Sequence, residues 1–113
     1  MENHHFNSMQ AVVSAADVNE RRLDKHRPVA RALRGGSAAG ADEVLVLAHG
    51  QVALWEQGRL CSQDYIDAWK ELLQHPQRAA EILEERSSHA AALRQNSPFV
   101  ASVRKFQALA NAA

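Results

Sequence analysis

The chain has 113 residues, the length of one domain rather than two. Its 13 basic residues balance 13 acidic ones, so no global field draws it to nucleic acid or to a membrane surface. A single cysteine, Cys61, excludes an intrachain disulfide and a multi-cysteine zinc site within one chain.

Sparse aromatics beside abundant alanine suit close-packed helices better than a β-sandwich. No apolar run approaches the roughly 18 residues needed to cross a bilayer. The first residues lack the basic-then-apolar pattern of a signal peptide, and we expect a cytoplasmic protein. Its Ala- and Arg-rich style reads as bacterial.

Residues 1–8 read as a flexible tail, with Ser8 capping a helix from Met9 to about His26. That helix has a thin stripe of Met9, Val12, Val13, Ala16 and Leu23. Pro28 then interrupts. Either a second short helix runs from Pro28 to Arg34, or one longer helix is kinked there. Gly35 to Gly40 reads as a linker, because the glycines stop a helix and nothing large is available to bury.

Asp42 and Glu43 open a central helix, their charges complementing its dipole. Val44, Leu45, Leu47, Ala48, Val52 and Trp55 recur at helical spacing, although Glu43 to Ala48 alone would suit a strand. Gly50 is a weak point, and Gly58 is the expected stop. Ser62 caps the next helix, where Tyr65, Ile66, Trp69, Leu72 and Leu73 fit the amphipathic template without a miss.

Pro76 starts another helix, with Ala79, Ala80, Ile82 and Leu83 inward and a weak break at Ser87-Ser88. Ser97-Pro98 starts the last, with Phe99, Val103, Phe106 and Leu109 on one side. The expectation is an all-α, compact bundle of five or six helices, completed by homodimerisation. Residues 9–113 form one domain: a helical pair at 9–34, a linker at 35–41 and the main bundle at 42–113. The expected core is Leu45, Val52, Trp55, Tyr65, Ile66, Trp69, Leu72 and Leu73.

Chemistry is sparse. None of the histidines outside the adjacent pair His4 and His5 lies three or four residues from another, so the usual metal spacings are absent and no metal or cofactor is expected. Cys61 with His49 or His75 is the only nucleophile reading, and no catalytic motif accompanies it. We expect no enzyme.

Charge, in contrast, is segregated. Arg21, Arg22, Lys25, Arg27, Arg31 and Arg34 face one acid, Asp24, within residues 21–34. The segment 41–75 is acidic and the C-terminal segment basic. Arg27, Arg31 and Arg34 share one helical face; Arg21 and Lys25 share another. Such faces suit an acidic protein partner, phosphates, or solvent alone. Phe99, Val103 and Phe106 are interface candidates on a helix able to close the bundle or dock on a partner.

Trp55-Glu56-Gln57-Gly58-Arg59 resembles the segment that closes the recognition helix in repressor-type helix-turn-helix proteins. Leu72-Leu73 and His75-Pro76 are similar to the stretch beyond that helix in antitoxin-like members. The resemblance covers about 25 residues and implies duplex binding through residues 50–59. Upstream, Gly50-Gln51-Val52-Ala53-Leu54 is mostly apolar where that family presents a turn and polar residues to the bases. The expected function is a small non-enzymatic protein-binding or regulatory module, an antitoxin-like or accessory subunit, acting on a protein partner, on itself, or on both. The alternative is a helix-turn-helix-like DNA-binding regulator.

Overall fold

The computed structural model of the chain describes residues 14–36 and 38–112. Among them lie six helices and no strand: α1 (Ala15–Arg31), α2 (Ala38–Gly58), α3 (Gln63–Leu73), α4 (Pro76–Glu84), α5 (Ser88–Gln95) and α6 (Val100–Ala112). A π-helical turn, Ala32–Gly36, joins α1 to α2. The expected all-α bundle is the observed one.

Ser14 caps α1. Its backbone is extended, and its hydroxyl accepts the Asp17 amide at 3.1 Å. The helix expected to run unbroken from Met9 therefore has its start at Ala15; Ser8 and its cap lie outside the described residues. Of the two readings at Pro28, the single longer helix holds. Proline lacks the N–H that would bond the Asp24 carbonyl, and inside a helix it costs about 3 kcal/mol. Val29 and Ala30, completely hidden, and Leu33 just beyond keep this turn packed. Burying one such branched side chain contributes about 1.5–3 kcal/mol, enough to offset the proline.

The expected linker is largely helix. Gly35, at φ +87°, kinks the π turn from within, in the left-handed region that glycine tolerates. Helix α2 then begins at Ala38, four residues before Asp42. It continues through Gly50 without a break. At its far end the left-handed residue is Arg59, φ +52°, rather than Gly58. The Leu60 amide reaches back to the Trp55 carbonyl at 3.1 Å, closing the turn. Gly58 serves space instead: a Cβ there would sit 3.0 Å from the Leu60 side chain.

The remaining starts follow the local signals. Ser62 precedes α3, Pro76 opens α4, and the Ser87 hydroxyl accepts the Ala90 amide to cap α5. Helix α6 is assigned from Val100, with the Ser97 hydroxyl accepting the Phe99 amide at 3.0 Å in the turn before it.

Helix α1 is no outlying arm. It packs along α4 and against α5 and α6, while α2 lies against the π turn, α3 and α6. The core closes around Trp69, which is completely hidden. Its indole N–H donates to the Asn96 carbonyl at 2.7 Å, and its ring meets Phe99 edge-on at 5.5 Å and 82°. Val52, Trp55, Ile66 and Leu73 are buried here; Leu45, Tyr65 and Leu72 are half-buried at the margin.

Candidate functional site

Helix α2 has two apolar faces. Val44, Ala48, Val52 and Trp55 point inward and are buried. Val46, Leu47, Gly50, Ala53 and Leu54 follow the i, i+1, i+4, i+7, i+8 template on the opposite side. That outer stripe is open: Val46 is 70% and Leu54 55% exposed. Leu47, expected inward, is instead outward and 37% exposed. Nothing lies within 4 Å of the position a Gly50 Cβ would take. Glycine inside a helix costs about 1 kcal/mol against alanine, and no contact within the chain requires it.

The apolar expectation missed Val46 and Leu54 because it sought one stripe. The signal was present: Val44 to Ala48 and Val52 to Trp55 are two uninterrupted apolar runs, which on a helix must cover more than one face. A shallow groove of about 270 Å³ lies beside this surface, between α2 and α6, lined by Val44, Leu47, Phe106 and Leu109.

Phe99, Val103 and Phe106 are the interface candidates of the C-terminal segment. Phe99 and Val103 are buried in the chain's own core, and Phe106 is half-buried against it. Phe99 is taken up by Trp69, so it offers a partner nothing.

Of the basic candidates, Arg21, Lys25, Arg27, Arg31 and Arg34 are all exposed. They do not make a uniform positive face. Arg27 lies 3.7 Å from Asp24, and Arg34 pairs with Glu84 on α4. Arg21, Lys25 and Arg31 have no ion-pair partner among the described residues. The acidic middle meets its basic flank within the chain, through Glu43 of α2 and Lys105 of α6. Glu20 of α1 pairs with Arg86 at 2.5 Å, and that guanidinium holds the Glu20 carboxyl below its ordinary value. Exposed pairs of this kind are screened by solvent and individually weak.

The segment that resembles a recognition helix sits elsewhere than the resemblance requires. Residues 50–58 are the end of the 21-residue helix α2, with no turn before them. Trp55 is in the core and Glu56 pairs with Lys70.

A buried polar lock joins α1 to the α5–α6 turn. His26 Nδ1 lies 2.7 Å from the Arg22 carbonyl, and Nε2 lies 2.8 Å from the Ser97 hydroxyl. A carbonyl only accepts, so Nδ1 carries the proton and the hydroxyl donates to Nε2. The imidazole is neutral. Burial holds its pKa below the ordinary value, and the Arg94, Arg22 and Lys25 charges act in the same direction. No spacing in the sequence marks His26 as a core residue; its partner is 71 positions away.

Arg94 is a buried cation, 4% exposed. One guanidinium nitrogen donates to the carbonyls of Ile82 and Glu85 at 2.8 and 2.5 Å, capping the end of α4. Its Nε is buried without a partner. Burial pushes its pKa below the usual value.

His49, His75 and His89 are exposed. His4 and His5 lie outside the described residues. No group of three or more metal-ligating side chains is gathered among the described residues, and Cys61 has no histidine partner there. No described helix is long and apolar enough to cross a membrane. No family model matches this chain, and neither a curated protein nor a solved structure matches it.

Proposed function

We propose that this chain is a small non-enzymatic protein-binding or regulatory module that works as a homodimer through the outer face of α2. The observation that carries the reading is the open stripe of Val46 and Leu54 about Gly50. The stripe is symmetric in sequence. Crossing two copies antiparallel at Gly50 sets Val46 against Leu54 and Leu47 against Ala53, twice each. An isologous interface needs such self-complementarity. A glycine at the crossing lets two helix backbones approach closely, which accounts for a residue the monomer does not need. Formal neutrality also removes the repulsion that would keep copies apart.

Sedimentation equilibrium tests this. The chain is expected to be a dimer at micromolar concentration, and Val46→Lys with Leu54→Lys to be monomeric with an unchanged helical circular dichroism spectrum. A monomeric parent chain, or a dimer indifferent to both lysines, overturns the reading. Duplex DNA binding lost with Arg21→Glu and Lys25→Glu, and steeply weakened by salt, would put the DNA-binding alternative in its place.

A further inference from the structure

A second feature lies away from the α2 outer face. Helices α1, α2, α5 and α6 border an open cleft of about 510 Å³, within the usual range for small-molecule sites. Three arginines are among its lining residues, Arg22 of α1, Arg94 of α5 and Arg104 of α6. Gln51 and Asn96 add amide groups, and Trp55 gives one wall an apolar surface. No aspartate or glutamate lines the cleft.

The concentration of cations is more than a surface accident. The Arg22 and Arg104 side chains have no ion-pair or hydrogen-bond partner among the described residues. Arg94 is buried, yet no carboxylate lies within ion-pair distance of it. The two nearest acids are engaged elsewhere: Glu20 with Arg86, and Glu85 with the Ser87 hydroxyl. A buried charge is costly unless a counter-charge meets it, and here two carbonyls meet one nitrogen while Nε has nothing. Arg27, Arg34, Arg86, Lys70 and Lys105 each have a carboxylate, and the unpaired Arg21, Lys25 and Arg31 stand exposed on α1 outside the lining of this cleft. Arg22 and Arg104 without a partner, beside Arg94 without a counter-charge, leave this concave site with an excess of positive charge.

We propose that this cleft binds a small oxyanion-bearing molecule, its phosphate or carboxylate group held among Arg22, Arg94 and Arg104 and its apolar part against Trp55. Guanidinium forks match both oxyanions, bidentate in the best geometry.

The test is calorimetric titration of the full chain with inorganic pyrophosphate and, separately, with citrate, at fixed ionic strength. Saturable one-to-one binding of either is expected. Both Arg22→Gln and Arg104→Gln should weaken it at least about tenfold, the scale of one charge-assisted hydrogen bond, while Arg31→Gln leaves it unchanged. These three side chains make no structural hydrogen bond, so the variants should keep the parent melting temperature; Arg94 is left intact because it caps α4. The tighter of the two probes identifies phosphate or carboxylate as the group recognised. Absence of saturable binding for both probes sinks the proposal. So does an equal loss in Arg31→Gln, which would mean diffuse attraction to charge, and so does binding of duplex DNA alone.

Discussion

At the scale of single residues, His26 shows how one buried side chain ties stability to pH. Its neutral ring receives a proton from Ser97 and gives one to the Arg22 carbonyl, so a second ring proton would have to displace the serine's. The folded pKa is lowered from 6.5, so the unfolded chain binds a proton more readily. Stability is therefore complete above the unfolded value and falls as pH drops below 6.5, levelling off under the folded value. Urea midpoints measured from pH 7.5 to 5.5 should decline, above the range where carboxylates titrate. His26→Gln should flatten that decline while lowering the plateau by about 1–2 kcal/mol, the cost of an altered buried hydrogen-bond pair. An unchanged slope in His26→Gln would assign the pH response to another group. The same residue marks a limit of reading by period. A histidine carries no sign of whether it is core or surface; Ser97 decides it, and Ser97 arrives only when α6 folds back.

Among the elements, α1 and α2 depart furthest from their local signals. Proline and the Gly-Gly pair both argue for interruption, yet α1 passes through Pro28 and α2 starts at Ala38. In α1 the residues after the proline are the most deeply buried of the helix, so packing overrules propensity. Pro28→Ala restores an N–H to the Asp24 carbonyl. It should raise stability by about 1–2 kcal/mol, less than the full interior-proline cost because the unfolded chain also gains freedom. A thermal melt at neutral pH measures it; destabilisation would show that the proline ring itself packs, against the groove it forms with Phe106 and Ala110. Helix α3 is the contrary case. Ser62, Asp64, an unbroken stripe and Pro76 all point one way, and Gln63–Leu73 is the result. Where cap, period and stop agree, the element is readable.

For the molecule as a whole, Gly50 separates what the monomer needs from what an assembly needs. Gly50→Ala should stabilise the isolated chain by about 1 kcal/mol, since the new methyl meets no neighbour and alanine is the better helix former. In a dimer crossing there, the same methyl holds the helices apart and weakens association. Melting at concentrations too low for dimerisation, paired with sedimentation at high concentration, reads the two effects separately. A methyl that leaves association untouched would move the crossing point away from Gly50. By itself the sequence determined the all-α class, helices α3 and α4, the Ser97 turn and the inner α2 stripe through Trp55. Each is set by caps and periodicity within a dozen residues, where backbone hydrogen bonds and apolar spacing act locally. Only the tertiary structure decided that α1 runs through its proline, which apolar face of α2 is spent on the core, and that Phe99 belongs to Trp69. It alone gathered Arg22, Arg94 and Arg104 around one cleft. Those outcomes depend on contacts between helices far apart in the chain, and their energy leaves no local period to read.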